Sequence, residues 1–155
     1  MANLILHNIR SIYNVGAIFR TADACGVSKI YLTGYTPAPI DRFGRKRLDF
    51  HKSALGAEET VPWEQIENIE NTISELRSMN YEVVALEQDV RAIDYKKYTP
   101  KKKKDFALIV GNETEGLPQE VLGECDKIIE IKMRGKKESL NVSVALGVAL
   151  FGIIS

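Results

Sequence analysis

The chain of 155 residues lacks several features that define whole classes of protein. Its only cysteines, Cys25 and Cys125, stand far apart and form no C-x-x-C pair, which argues against a disulfide framework or a zinc ribbon and favours a reducing compartment. The most apolar run, residues 142–154, is shorter than the roughly 17 to 25 residues of a membrane span. Residues 1–4 do not begin a secretory signal. We therefore expect a cytoplasmic protein with no membrane partner and no metal.

The composition is that of an ordinary globular protein. Hydrophobic residues make up 45% and charged residues 27%, which excludes a disordered chain. The length suits one domain with a single substantial core. We expect one domain over residues 1–155.

The net charge of zero hides a strong asymmetry, because basic residues gather in three segments. Residues 41–52 hold five Lys or Arg against two Asp, residues 91–105 hold seven against two, and residues 132–138 hold four against one. Lysine runs are often only solvated surface, and that interpretation stays open for residues 101–104. Three basic segments together favour a polyanion, since Lys and Arg neutralise phosphates.

Two of these segments also contain aromatic residues, Phe43 and Phe50 in one and Tyr95 and Tyr98 in the other. Aromatic faces stack on unpaired bases, so the combination favours a nucleic-acid partner. The cations that we expect to contact this nucleic acid are Arg42, Arg45, Lys46, Arg47, Lys101, Lys102, Lys103, Lys104, Arg134 and Lys136.

Strands and helices alternate along the chain. Short apolar segments predict strands at residues 4–6, 29–33, 81–86, 106–110 and 128–131. Helical spacing predicts three helices: from Asn14 as N-cap to Gly26 as terminator, from Trp63 to Met79, and from Asn141 to Ile154. Residues 34–44 form a polar loop, and a long connection without helical periodicity precedes residue 106. This alternation predicts an α/β fold, a mostly parallel sheet with helices on both faces.

The last predicted helix, residues 142–154, is apolar on almost every side. Such a helix is buried in a core or against a partner, and a domain of this size covers both sides of a helix with difficulty. A two-fold homodimer is therefore the preferred interpretation. Gly147 and Gly152 would permit the close approach of another backbone, at a cost of ~1 kcal/mol each relative to Ala.

The first candidate for chemistry is residues 14–20, at a strand-to-helix junction. Arg20 is a cation directly after the apolar pair of Ile18 and Phe19. It either pairs with Asp23 on the same helix or directs a guanidinium at a phosphate or at a hydroxyl that must lose its proton. Asn14 is either a helix cap or a polar group of the same site.

The second candidate is residues 108–118, a buried strand that runs into a polar turn with Gly111 and Gly116. Ligands of open α/β sheets bind beyond the carboxyl ends of the strands, and glycine lets a backbone approach them closely. The turn has neither G-x-G-x-x-G nor the lysine of a P-loop, which argues against dinucleotides and nucleoside triphosphates. A plain turn remains the alternative.

The third candidate is residues 131–143, again a strand, a turn and a helix start. Ser139 or Asn141 is expected to cap the last helix. Polar side chains and free amides at a helix start also suit an anion or another polar ligand.

In this order and spacing, the three segments resemble the SpoU branch (TrmH type) of the SPOUT RNA methyltransferases. Residues 14–20 are similar to motif 1 of that family, N-x-G-x-x-x-R, and residues 111–116 to the G-x-E-x-x-G core of motif 2. Residues 131–143 are similar to motif 3, which ends in Ser-Leu-Asn-Val-Ser. The chain differs at Lys132, where the family usually has proline.

The resemblance implies a fold, a cofactor and an assembly. The C-terminal part, roughly from Leu86, would form a deep trefoil knot, and the chain would lack the N-terminal RNA-binding domain of many relatives. S-adenosylmethionine would lie in the knot, and in a homodimer Arg20 of one subunit would lie near the cofactor of the other. The residues that we expect to hold the cofactor are Leu86, Glu87, Gly111, Asn112, Gly116, Ile131, Met133, Ser139 and Leu140.

The resemblance also implies methyl transfer to a ribose 2′-hydroxyl of tRNA or rRNA. Arg20 would grip the adjacent phosphate and the developing alkoxide, assisted by Asn14, Glu113, Ser139 and Asn141. Two alternatives stay open: an RNA-binding or ribosome-assembly protein that has lost turnover, and an enzyme that methylates a base nitrogen.

Overall fold

The computed structural model describes residues 1–101 and 104–155, and in these the strands form one parallel sheet of seven strands. The strands are β1 (Ala2–His7), β2 (Lys29–Thr33), β3 (Trp63–Ile66), β4 (Tyr81–Leu86), β5 (Ile93–Asp94), β6 (Asp105–Val110) and β7 (Lys127–Glu130). Their order across the sheet is β3-β2-β1-β6-β4-β7-β5. Every strand pair runs parallel, so the carboxyl ends of β1, β4, β6 and β7 share one edge.

Six helices cover the two faces of the sheet in the described part of the chain. They are α1 (Ile12–Cys25), α2 (Leu48–Ala54), α3 (Ala57–Thr60), α4 (Ile69–Ser78), α5 (Gln119–Glu124) and α6 (Val142–Ile154). Side chains of α1, α2 and α6 share one buried cluster with alternate strand residues, and those of α4 and α5 share the other. The predicted α/β class, with helices on both faces, is confirmed.

The central strands carry apolar residues on both faces because both faces are covered. Leu4 and Leu108 pair across β1 and β6 on the α1 side, and Ile5 and Ile109 pair on the α4 side. All four side chains are fully buried. The strand order is compatible with a trefoil knot, which stays a prediction.

The start of α1 differs from the prediction. Ser11, and not Asn14, is the N-cap: its side-chain oxygen accepts the amide of Asn14 at 3.2 Å. Asn14 lies inside the helix and is buried. The C-terminal prediction is confirmed, because Gly26 ends α1 in the left-handed conformation at φ 70°.

The predicted helix from Trp63 to Met79 is wrong in its first part. Trp63–Ile66 is the edge strand β3, and α4 begins at Ile69 after Asn68, whose side chain accepts the amide of Asn71. Ile66 fits the helical spacing of the following residues, so periodicity alone extended the helix too far. Pairing with β2 decides the strand, and no local pattern carries that information.

Sequence analysis did not predict α2, α3, α5 or the short strand β5 with its 3-10 turn at Tyr95–Lys97. The helix α2 packs tightly on α1 at Gly16, where a Cβ atom would lie 2.9 Å from the carbonyl oxygen of Phe50. Phe50 is buried edge-to-face against Phe19, with ring centroids 5.1 Å apart. Phe50 is therefore a core residue, and the expectation that its ring is available to bases is wrong.

The last helix is covered on one side only. Leu146, Ala149 and Leu150 are buried against the domain. The opposite side leaves an apolar stripe exposed to between 39 and 51%, formed by Val144, Val148, Phe151 and Ile154. Among the described residues, no helix combines the length and the apolar character of a membrane span.

Candidate functional site

A cleft of about 300 Å³ opens at the carboxyl edge of the sheet. Its walls are the segments that follow β4, β6 and β7, together with the first turn of α6. Leu86, Glu87, Gly111, Asn112, Gly116, Ile131, Met133, Ser139 and Leu140, the nine residues expected to hold a cofactor, all line it. The second and third sequence motifs therefore meet in space, as the carboxyl ends of parallel strands require.

The turn after β6 is held from within by Asn112. Its side-chain oxygen accepts the amides of Thr114 and Glu115 at 2.9 and 2.8 Å, and its backbone oxygen accepts the amide of Gly116 at 2.9 Å. Asn112 is buried, and its amide group donates to the backbone oxygen of Asn8 at 3.1 Å. The floor of the cleft is thus a satisfied hydrogen-bonded turn rather than a loose loop.

Glu87 braces the same turn from the neighbouring strand. Its carboxylate accepts the amide of Leu117 at 2.9 Å. Gly116 adopts φ 69°, and a Cβ atom there would overlap the Glu87 carboxylate, with Cδ only 3.0 Å away. Only glycine satisfies both the left-handed backbone and this close approach. Gly111 is similarly enclosed, since a Cβ atom would lie 2.7 Å from Leu117.

Glu113 lines the cleft, but both of its carboxylate oxygens are already hydrogen-bonded within the protein. Its two carboxylate oxygens accept the backbone amides of Arg10 and Ser11 at 2.9 and 3.0 Å, just ahead of α1. Glu113 therefore joins the second motif to the residues just before the first.

Asn14 and Asn141 join the first motif to the third. The side-chain amide of Asn141 donates to the side-chain oxygen of Asn14 at 3.1 Å. Asn141 also caps α6, since its oxygen accepts the amide of Ser143 at 2.9 Å. The predicted cap is thus Asn141, while Ser139 is exposed and lines the cleft.

Arg20 stands apart from these groups. It is exposed on α1 and does not line the cleft of its own chain. Asp23, its expected partner in the alternative interpretation, instead accepts the hydroxyl of Thr60 at 2.7 Å. In the described part of the chain Arg20 forms no ion pair. Its guanidinium is exposed, and it lies outside the cleft of its own chain.

Sequence reasoning missed Gln88, Glu138 and Tyr35. The side-chain amide of Gln88 donates to the backbone oxygen of Glu138 at 2.6 Å and closes the cleft between the segments after β4 and β7. Gln88 could have been found, because it follows a predicted strand at the ligand edge. Tyr35 could not, since its hydroxyl reaches Asn112 only through the tertiary fold.

The basic segments are partly neutralised by their own acids. Three of the expected RNA contacts in residues 41–52 are ion-paired, Arg45 to Asp41, Lys46 to Glu59 and Arg47 to Asp49, at 2.9 to 3.0 Å. Exposed pairs of this kind are weak and do not prevent exchange for a phosphate. Arg134 and Lys136 are exposed beside the cleft segment, and Lys101 is exposed, whereas Lys102 and Lys103 lie outside the described residues.

The aromatic residues of these segments differ in their exposure. Phe43 is 66% exposed, whereas Tyr98 is buried against Phe106 with ring centroids 6.3 Å apart. Tyr95 is half-buried beside Gly152. Burial raises the pKa of the Tyr98 phenol well above its ordinary value. Of the four aromatic residues predicted to meet bases, only Phe43 presents an open ring.

The sequence is similar to those of known proteins. The chain is 34% identical over 151 residues to the 23S rRNA (guanosine-2'-O-)-methyltransferase RlmB of Yersinia pestis, covering 97% of the chain and 58% of that protein. It is 35% identical over 148 residues to RlmB of Escherichia coli (strain K12), covering 96% of the chain and 57% of that protein. The chain thus spans a little over half the length of these curated relatives.

Solved structures have the same fold. The AdoMet-bound rRNA methyltransferase from Sinorhizobium meliloti superposes with a TM-score of 0.87 at 32% identity, over 97% of this chain and 54% of that one. The A. aeolicus TrmH/SpoU tRNA modifying enzyme gives 0.82 at 27% identity, over 97% and 72%. The sequence model of the SpoU rRNA Methylase family matches residues 1–151. Because that model matches nearly the whole chain, the chain belongs to the SpoU rRNA methylase family.

Proposed function

We propose that the chain transfers a methyl group from S-adenosylmethionine to a ribose 2′-hydroxyl of RNA. The observation that carries this proposal is the meeting of the second and third motifs in one cleft, with the first motif hydrogen-bonded to its rim. Relatives named as guanosine-2'-O-methyltransferases and a solved relative with AdoMet bound support both the reaction and the cofactor. The same names favour rRNA over tRNA as the substrate.

The residues of the cleft fit this cofactor. The volume of about 300 Å³ lies at the lower end for small-ligand pockets. Ile131, Met133 and Leu140 supply apolar walls for an adenine ring, and the turn at residues 111–116 supplies backbone groups for its polar edge. When bound, S-adenosylmethionine supplies a methyl group on a sulfonium, which is already an electrophile.

The protein must then orient the ribose hydroxyl and assist the loss of its proton. Arginine holds its own proton at neutral pH, so Arg20 acts best by gripping the neighbouring phosphate and the alkoxide that develops. Ser139 lines the cleft and contacts the ribose, while the hydrogen bond between Asn141 and Asn14 keeps the start of α6 against α1. Glu113 keeps the start of α1 against the cofactor turn.

This function requires a homodimer. Arg20 does not line its own cleft, so it serves the cleft of the partner subunit. The exposed apolar stripe of α6 supplies the contact surface, and α1 packs beside it: a Cβ atom at Gly147 would lie 3.7 Å from the methyl group of Thr21, next to Arg20. A two-fold contact through these helices brings each Arg20 toward the other subunit.

Calorimetric titration with S-adenosylmethionine tests the cleft. Leu140→Arg places a charge in the apolar wall and should abolish saturable binding. Leu48→Arg is the matched control, because Leu48 is 78% exposed on α2 and away from the cleft. Equal affinity in wild type and Leu140→Arg would exclude the cleft as the cofactor site.

Methyl transfer to total RNA tests the reaction. Arg20→Ala should keep cofactor affinity and lose transfer by a factor of ~100 or more, in the range of lost transition-state groups. Near-wild-type transfer would remove the role assigned to Arg20. Digestion of the product to nucleosides distinguishes ribose from base methylation.

The noncatalytic alternative predicts a different result. Tight RNA binding that is unaffected by cofactor, without transfer to any RNA, would establish an RNA-binding or ribosome-assembly protein and refute the enzyme.

A further inference from the structure

A second cleft, of about 600 Å³, lies beside the first and has no part in the cofactor site described above. It opens between residues 35–38 and the turn at residues 41–45. The rings of Tyr35 and Phe43, 57% and 66% exposed, are two of its lining side chains. These two exposed rings in a polar, basic cleft offer stacking surfaces to a planar ligand.

The turn that carries Phe43 is ordered by hydrogen bonds. Ile40 and Lys46 form an antiparallel bridge at its base. One carboxylate oxygen of Asp41 accepts the amides of Phe43 and Arg45 at 2.8 and 3.0 Å, and the other accepts Nε of Arg45 at 2.9 Å. These donors hold the pKa of the Asp41 carboxyl below its ordinary value. The ring is therefore held out at the tip of an ordered turn.

Two guanidinium groups flank this ring. The central carbons of Arg42 and Arg45 lie 4.8 and 5.0 Å from the ring centroid of Phe43, at cation–π distance. In the described part of the chain Arg42 has no carboxylate partner. A cation beside an aromatic face is the pair of groups that binds a phosphate and the base attached to it.

Tyr35 connects this cleft to the first one. Its hydroxyl accepts a hydrogen bond from the side-chain amide of Asn112 at 2.9 Å, and its backbone amide donates to the side-chain oxygen of Asn8 at 3.1 Å. Asn112 lines the cofactor cleft. One hydrogen bond therefore joins the walls of the two clefts.

We propose that the second cleft binds one unpaired nucleotide of the substrate RNA, close in sequence to the nucleotide that is methylated. Its base stacks on Phe43 in place of the Arg42 guanidinium, which swings from the ring to hold the phosphate. Base faces are accessible in unpaired RNA and not within an A-form helix, so the site selects loops, bulges or ends. This inference rests on the proposed function only in taking RNA as the substrate.

Fluorescence anisotropy with two labelled RNAs tests the site: a hairpin with an unpaired loop, and a perfect duplex of the same length. Phe43→Ala should weaken hairpin binding by ~10-fold, as expected for one base–aromatic stack, with no change for the duplex and no change in salt slope. Phe43→Tyr is the matched control and should bind as wild type. Because Phe43 is exposed, Phe43→Ala should fold as wild type does, and an unchanged far-ultraviolet circular dichroism spectrum would verify this.

Arg42→Gln gives the complementary result, because a lost phosphate contact reduces the salt slope by about 1. Equal hairpin affinity in wild type and Phe43→Ala would overturn the site, and so would equal losses on hairpin and duplex. Absence of methyl transfer in the wild type, together with a hairpin-selective loss in Phe43→Ala, would refute the enzyme and keep the nucleotide site. Normal methyl transfer in the wild type, together with unchanged hairpin affinity in Phe43→Ala, would support the enzyme and refute the nucleotide site.

Discussion

The turn at residues 111–117 and the turn at residues 41–45 are built by the same local device. In each, one Asx side chain accepts two backbone amides, Asn112 in the first and Asp41 in the second. Each also contains a glycine with positive φ, 69° at Gly116 and 77° at Gly44. The surroundings differ, because Gly116 is closed in by Glu87 whereas nothing lies within 4 Å of a Cβ atom at Gly44.

The difference shows how one turn chemistry serves two purposes. The first turn uses a neutral amide at its buried position, Asn112, since a carboxylate there would need a charged partner. It presents backbone to a ligand and its geometry is fixed by neighbours. The exposed turn uses a carboxylate, which water and arginine stabilise, and it presents side chains. We expect changes in the first turn to alter the cleft and changes in the second to alter only what the surface binds.

The largest difference should follow from alanine at the two glycines. Gly116→Ala adds left-handed strain of about 1–2 kcal/mol and displaces the Glu87 carboxylate that accepts the Leu117 amide, so S-adenosylmethionine affinity should fall by more than ~10-fold. Gly44→Ala adds the same strain without this displacement and should leave that affinity unchanged. Calorimetry and thermal unfolding of both variants measure the contrast. Equal cofactor affinity in the two variants would contradict the enclosed position of Gly116.

Much of the fold and the cofactor cleft could be predicted from the sequence. Apolar runs identify the buried strands because both sheet faces are covered. The second and third motifs identify the cleft because strand ends of a parallel sheet share an edge. What local pattern could not supply was strand pairing, as at Trp63–Ile66, and contacts between distant loops, as between Tyr35 and Asn112.

The expected RNA contacts illustrate a second limit. Composition identifies where cations and rings occur, but burial decides which of them are available. Phe50 and Tyr98 have the same residue types as Phe43 and Tyr35, yet they belong to the core. Arg20 illustrates a third limit, since its predicted site is the cleft of a partner subunit, which a single chain does not include.

A smaller difference should separate the two asparagine caps. Asn141→Ala removes the α6 cap and its hydrogen bond to Asn14, while Asn68→Ala removes only the α4 cap. Each should lower the free energy of unfolding by ~1 kcal/mol. Only Asn141→Ala should also weaken cofactor binding, because α6 begins at the cleft. Denaturant unfolding beside calorimetry distinguishes the two. A similar loss of cofactor affinity in Asn68→Ala would mean that global stability, and not the local contact, controls the cleft.

The smallest effect is a difference in pH response between His7, whose neighbour Asn8 contacts the first turn, and Asp41 of the second turn. Burial lowers the pKa of His7 below its ordinary value of 6.5, which the Glu70 carboxylate offsets only in part. His7 lies 2.9 Å from the Thr33 hydroxyl and next to Asn8, which holds Asn112. Below pH 6.5 the unfolded chain binds the proton more readily than the folded chain, so stability falls as pH decreases.

The carboxyl of Asp41 acts at lower pH, because its pKa lies below the ordinary 3.8 and its contribution is lost only as pH falls through that lower value. In unfolding curves between neutral pH and pH 4, His7→Asn should therefore flatten the pH dependence, whereas Asp41→Asn should shift the curve without flattening it. The comparison with wild type separates His7 from His51, which is unchanged in both variants. If His7→Asn kept the full slope, the buried network around Asn8 would not be the pH-sensitive part, and the contrast between the two turns would be limited to their exposure.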